Sequence, residues 1–425
     1  MNARVGFVGM THLGLVSATG TASKGFEVVC YDRDAALIER LRAGVLPVIE
    51  PGLDDMLAAN GVRQNFTADL GDLSACDVVY IAPDVPTDDQ GRSDLTSISA
   101  LIGAVIPALG PSAALVVLCQ VPPGYTRALP LAPSRLYYQV ETLIFGRAVE
   151  RATEPERFIV GCADPAASLP APYRELLEAF GCPILPMRYE SAELAKISIN
   201  MCLVASVSVA NTMAELCEQI GAVWSEIVPA LKLDRRIGQY SYLAPGLGIA
   251  GGNLERDLAT VIRFADEKGT DAGVVKAWVA NSRHRRDWAA RTIRSAVLAD
   301  AKDPTLAVWG LAYKENTHSV KNSPSLATIA QLPDTALRLH DPAVSDIALP
   351  KRAVLAESAL DALAGADALA ILTPWPEYKA IAPAQIAAAL RGRVVIDPYR
   401  VLDPAAAAAA GLEYHTLGMP PLKVS

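Results

Sequence analysis

Two glycines and an aspartate carry the first chemical signal. The apolar run Val5 to Val8 leads into Gly9-Met10-Thr11-His12-Leu13-Gly14, and the next apolar run ends at Asp32. A strand that enters a helix through a glycine turn leaves the first helical N–H groups unpaired, and those groups suit a pyrophosphate. In this layout Gly9 makes the tight turn and Gly14 lets helix and strand pack closely. An acidic residue ending the second strand binds both ribose hydroxyls, so Asp32 favours NAD over NADP. Arg33 beside it favours a 2′-phosphate, which Asp32 repels. Thr11 stands where a second glycine would bring the pyrophosphate against the backbone. The same residues also suit a tight strand–helix turn that holds no ligand.

A second set lies in the middle of the chain. Lys196 and Asn200 are four residues apart within a helical pattern that includes Ala192, Ala195, Ile199, Leu203 and Val207, so they share a face. An ammonium directed at a developing oxyanion is a physically sensible stabiliser. Plainer readings stand beside this one. A helical lysine is usually a solvated surface charge. Asp257 suits a helix cap, Glu141 an exposed charge, and Asn253 a turn in a glycine-rich segment.

These residues need a scaffold. Val5 to Val8, Phe26 to Tyr31, Val78 to Ala82, Ala114 to Leu118 and Phe158 to Gly161 read as buried strands, and Leu13 to Lys24 as a helix. Glu190 to about Val228 reads as one helical block. Strands return at Leu306 to Trp309, Ala336 to Leu339, Ala368 to Leu372 and Val394 to Ile396. Ala405 to Ala410 reads as a helical turn or two. The expected fold is α/β: two Rossmann-like doubly wound parallel-sheet domains joined by a helical central domain. The expected boundaries are 1–187 for cofactor binding, 188–296 for the helical middle and 297–425 for the last domain.

Composition bounds the partners. The chain has 425 residues, 51% hydrophobic and 20% charged, with a net charge of −8. The charge speaks against nucleic acid or an anionic membrane as main partner, while a local pocket can still be basic. The apolar stretch Ile197 to Ala210, interrupted by Asn200, Ser206 and Ser208, reads as too short for a membrane span. The N-terminus has no signal-peptide layout. Seven cysteines without CxxC or CxxH spacing point to a reducing compartment, with most of them small buried groups and no metal site. A cytoplasmic location is expected.

In order along the chain, further motifs resemble the UDP-glucose/GDP-mannose dehydrogenase family almost end to end. Pro86-Thr87, Gly91 and Asp94-Leu95 look like its TPTxxxGxxDL loop, and Val121-Pro122-Pro123-Gly124 like its VPxG turn. Glu141 to Gly146, with Ala148, Pro155, Arg157 and Gly161, is similar to its next segment. Ala192-Glu193-Leu194, Lys196 and Asn200 match AELxKxxxN. Pro245 to Gly252 is similar to PGxGFGGS, with Arg256-Asp257 at its end. Gly310-Leu311-Ala312-Tyr313-Lys314, Thr317 and Ser323-Pro324 resemble GLAFKxxT…SP. Asp341-Pro342, Thr373 to Glu377, and Asp397 with Arg400 to Asp403 complete the set.

The resemblance implies an NAD-binding first domain, a helical homodimer core and a last domain for a nucleotide sugar. Members oxidise the sugar's primary alcohol to a carboxylate in two NAD-dependent steps, holding the aldehyde on a cysteine in GGSCFPKD. In this chain that cysteine is Asn253. An amide cannot attack a carbonyl as a thiolate does. The resemblance implies catalytic roles for Lys196, Asn200, Asp257 and Glu141, with Asn253 at the cysteine position. It assigns Gly9, Thr11, Leu13, Gly14, Asp32, Pro86, Gln120, Arg256 and Lys321 to the cofactor. To the nucleotide sugar it assigns Glu141, Leu143, Lys196, Asn200, Arg236, Tyr242, Gly246, Gly248, Lys314 and Arg400.

Other positions depart from the family. Val85 and Gln120 replace threonines on the cofactor side, Ser319 and Lys321 replace an aspartate and an arginine, and one extra residue lies between Arg236 and Gly246. Three functions follow as expectations: a single-step dehydrogenase of a nucleotide sugar, an epimerase that reduces NAD transiently, and a binding paralogue without catalysis.

Overall fold

The computed structural model describes residues 3–86, 93–249, 253–299 and 301–423. The motif residues Thr87, Gly91 and Ala250 to Gly252 lie outside them. The chain divides into two compact units, Met1–Ile199 and Asn200–Ser425.

The first unit is built on an eight-stranded sheet. Its strands are β1 (Arg4–Val8), β2 (Glu27–Tyr31), β3 (Gln64–Thr67), β4 (Val78–Ile81), β5 (Ala114–Val117), β6 (Leu136–Gln139), β7 (Phe158–Cys162) and β8 (Ile184–Arg188). Their order is β3-β2-β1-β4-β5-β6-β7-β8. All pairings are parallel except β6 with β7. The central strands are runs of Val, Ile, Leu and Phe because helices cover both faces of such a sheet. Val5, Val8, Val78, Ile81, Leu115 and Val116 have no exposed surface. The helix His12–Ser23 follows β1 directly.

The second unit has a six-stranded, all-parallel sheet: β9 (Thr305–Trp309), β10 (Ala336–His340), β11 (Ala353–Leu355), β12 (Ala368–Ile371), β13 (Val394–Ile396) and β14 (Glu413–His415). The order β11-β10-β9-β12-β13-β14 repeats the first six positions of the other sheet. The local design repeats as well. Gly9 and Gly310 end the first strand of each sheet at φ +95° and +96°. A Cβ on Gly9 would lie 2.8 Å from Pro83 Cβ, and one on Gly310 would lie 2.4 Å from Thr373 Cβ. Asp32 ends β2 and accepts from Met10 N at 2.8 Å. Asp341 ends β10 and accepts from Leu311 N and Ala312 N at 2.6 and 3.0 Å. Asp341 also takes bonds from Ala343 N, Val344 N and Trp375 Nε1, and is buried.

Between the sheets the sequence is helical. The expected single block is two helices, Tyr189–Ile220 and Trp224–Leu233. Gly221, at φ +83°, ends the first in the left-handed region that glycine adopts at little cost. Buried Trp224 anchors the second, donating to Leu243 O at 2.8 Å. The helices Asn253–Lys268 and Gly273–Arg286 follow.

One expectation is corrected here. The helix Tyr189–Ile220 has 32 residues and, by length and composition, is apolar enough to cross a membrane. The polar residues that seemed to interrupt the run do not break the helix. Glu193, Asn200 and Asn211 are buried on it and bonded to protein groups, as in a helix packed inside a folded domain.

All seven cysteines are free. Cys30, Cys76, Cys119, Cys162 and Cys217 are buried, Cys182 is half-buried and Cys202 is exposed.

Candidate active site

In the first unit the glycine turn is sterically fixed. A Cβ on Gly14 would lie 1.8 Å from Gly9 O, so only glycine lets the helix start this close to β1. Gly9, Thr11, Asp32, Arg33 and Pro86 line one cavity of about 220 Å³ together with Asp84 and Ser97. Thr11 immediately precedes the helix but makes no side-chain cap to it. Its hydroxyl instead accepts from Asp84 N at 2.9 Å. Asp32 keeps one oxygen on Met10 N and the other on Asp34 N, 3.0 Å away.

The first helical residue organises a second loop. His12 Nε2 lies 2.9 Å from Glu50 Oε2, and both side chains are buried. Glu50 also accepts from Gly146 N at 3.0 Å and Ala148 N at 2.8 Å. Phe145 stacks on the His12 ring at 4.1 Å between centroids. The segment from Glu141 to Ala148 is thereby tied to the start of the helix. Sequence reasoning missed this pair. Its only signal was a histidine and a glutamate in apolar company.

That tie bears on Glu141 and Lys196. Lys196 Nζ donates to Glu141 O at 2.9 Å and Glu141 Oε2 at 3.0 Å. Their side chains are 13% and 18% exposed, so the pair is largely withdrawn from water and the solvated reading of Lys196 is excluded. Glu141 also accepts from Leu143 N, which turns the loop back on itself. One helical turn before Lys196, fully buried Glu193 accepts from Gly124 N at 2.6 Å and Thr126 N at 2.9 Å. It holds the Val121-to-Gly124 turn on the helix that carries Lys196. Burial pushes the Glu193 carboxyl up despite these bonds, which pull it down. Leu13 lines a small apolar void with Glu141 and Leu143. Gln120 is half-buried and lines neither space described here.

In the second unit Asn200 Nδ2 donates to Asp257 Oδ2 at 2.5 Å, and Arg256 Nε reaches Asp257 Oδ1 at 3.4 Å. All three are buried. Asn253 is exposed and is the first residue of the helix Asn253–Lys268, so it faces the end of a helix dipole that favours negative charge. Glu255, two residues on, pairs with Arg286 at 2.9 Å and takes a bond from Asn322 Nδ2. Arg286 also donates to Ile249 O at 2.8 Å.

The loop Pro245 to Ile249 is pinned at both ends. Gly246 N donates to Asn211 Oδ1 and Ile249 N to Ser282 Oγ, each at 2.8 Å. Gly248 has φ +76°, and a Cβ there would lie 2.4 Å from Ser282 O. Tyr399 lies beside Gly246, and burial pushes its phenol up. Arg400, at φ +53°, is exposed and donates to Ser225 Oγ at 2.6 Å. Lys314 lies over the Tyr313 ring at 5.7 Å, and Lys321 is half-buried beside Asn322. Arg236 is not drawn into this cluster. It is 89% exposed and paired with Asp234, and Tyr242 is exposed too.

The chain matches three domains of one family. Residues 3–180 match the NAD binding domain of the UDP-glucose/GDP-mannose dehydrogenase family, 190–283 its central domain and 307–404 its UDP binding domain. It is 30% identical over 439 residues to the UDP-glucose 6-dehydrogenase TuaD of Bacillus subtilis, covering 99% of this chain and 94% of that one. It is 29% identical over 447 residues to a UDP-glucose 6-dehydrogenase of Pseudomonas aeruginosa, covering 98% of each. Among solved structures, a UDP-glucose dehydrogenase from Pyrobaculum islandicum superposes with a TM-score of 0.85 at 27% identity, covering 99% of this chain and 98% of that one.

Proposed function

The chain belongs to the UDP-glucose/GDP-mannose dehydrogenase family, and from that premise we propose that it is an NAD-dependent oxidoreductase that takes one pair of electrons from a nucleotide-linked sugar. The observation that carries this reading is an amide, Asn253, at the place of the family's cysteine in a sequence that otherwise retains Lys196, Asn200 and Asp257. Without a thiolate no thiohemiacetal forms, and the usual second oxidation has no covalent intermediate to act on.

NAD, when bound, would supply the hydride acceptor for the carbinol carbon. Asp32 and the glycine turn are suited to its ribose and pyrophosphate. Lys196 is suited to stabilise the alkoxide oxygen, because its ammonium is already held by Glu141 in a largely water-free setting. Asp257, bonded to Asn200, is the candidate to receive the hydroxyl proton. The nucleotide sugar is assigned to the last domain, residues 297–425, with Lys314, Arg400, Gly246 and Gly248 as contacts. The helical middle, 188–296, is assigned to self-association as a homodimer. Val209, Met213, Leu216 and Ile220 are exposed at helical spacing on Tyr189–Ile220, forming one apolar stripe that supports that assignment.

The test incubates the protein with NAD and UDP-, GDP-, CDP- and dTDP-sugars, following NADH absorbance and product mass together. One NADH per sugar with loss of two hydrogens is the expected result. Two NADH per sugar with acid formed through a covalent adduct overturns it. An inverted sugar without net NADH identifies an epimerase, and binding without any change identifies a non-catalytic paralogue.

A further inference from the structure

The dinucleotide cleft already contains a negative group of its own. Asp84 follows β4 closely, and its carboxyl lies near the Thr11 hydroxyl and the Leu13 backbone N–H at the open start of helix His12–Ser23. Its backbone is fixed there by the bond from Asp84 N to Thr11 Oγ1. The residue lines the same cavity as Gly9, Thr11 and Asp32. The first free N–H groups of this helix are the ones a dinucleotide pyrophosphate uses.

We propose that Asp84 sets the affinity of this chain for its dinucleotide, because its side chain, tied to Thr11 in the same cavity, puts a negative group beside the open helix start that must give way before the pyrophosphate can sit there. The surroundings add to the conflict. Glu141 contributes a further negative charge near Asp84. His12 opposes it but is bonded to Glu50. The Thr11 hydroxyl accepts from Asp84 N and so holds the Asp84 backbone beside the helix start. A ligand with the adenosine but no phosphates meets no such competitor.

The inference rests on dinucleotide binding in this cleft and not on turnover, so the experiment reads binding alone. Wild type, Asp84→Asn and Asp84→Gly are titrated calorimetrically with NAD, ADP-ribose and adenosine, after thermal melts confirm folding. Asparagine keeps the shape and removes the charge, so it carries the test if the glycine variant does not fold. NAD and ADP-ribose are expected to bind the variants about tenfold tighter or more, the scale of a charge at a helix N-terminus, with adenosine unchanged. Unaltered NAD affinity, or equal tightening for adenosine, overturns the proposal. Tighter NAD binding in variants that oxidise no sugar would leave it standing and count only against the dehydrogenase reading.

Discussion

Asn253 opens its helix with an exposed side chain, a setting that lowers the pKa of a thiol placed there. Two of the native cysteines are poor substitutes. Burial pushes Cys76 and Cys119 up to about 12, so neither supplies a thiolate near neutral pH. Asn253→Cys is therefore expected to raise the NADH released per sugar from one toward two, and to trap a covalent adduct visible in the intact protein mass. Unchanged stoichiometry in a variant whose new thiol alkylates readily would mean that more than the cysteine has been lost. Legibility at this scale was uneven. Asn253 and Lys196 stood out because a motif surrounded them. Asp84 and the His12–Glu50 pair did not, because a carboxylate past a strand end and two polar residues far apart in sequence are ordinary until the fold brings them together.

Glu193 joins two elements, the turn at Gly124 and the helix Tyr189–Ile220. Its carboxyl is raised in the folded state, so the folded protein binds the proton more tightly than the unfolded chain. The associated stability is fully present below the ordinary value of 4.5 and is lost as pH rises through the higher folded value. Urea unfolding from pH 4 upward is expected to show a smaller stability loss in Glu193→Gln than in wild type. Parallel curves would exclude this account. The strands were readable where burial dictates composition. β4, β5 and β12 are unbroken apolar runs, as is β1 after Arg4, and their predicted limits differ from the observed ones by a residue. The expectation named no strand at β3, β6, β8, β11 or β14. Gln64 and Asn65 make β3 look polar, and β8 is a half-exposed edge strand containing Pro186. Gly221 was likewise too small a signal to divide the helical block.

The molecule as a whole has a net charge of −8, while Val209, Met213, Leu216 and Ile220 are unpaired apolar residues on one helix. Covering them with a second copy is the proposed assembly. Light scattering is expected to give twice the chain mass, and the double variant Met213→Glu with Ile220→Lys to give the single-chain mass. A wild-type monomer at micromolar concentration would remove the dimer.

The two sheets share an order, a glycine turn and an aspartate after the second strand, yet the aspartates differ in what they leave open. Asp32 holds one amide of its glycine loop and one beyond it, beside an accessible cavity. Asp341 is buried and takes both amides of its own loop, two more beyond it and the indole of Trp375. The second loop is a closed latch made from the parts of an open hand. Homology of layout does not double the capacity, and a titration with NAD should saturate at one molecule per chain.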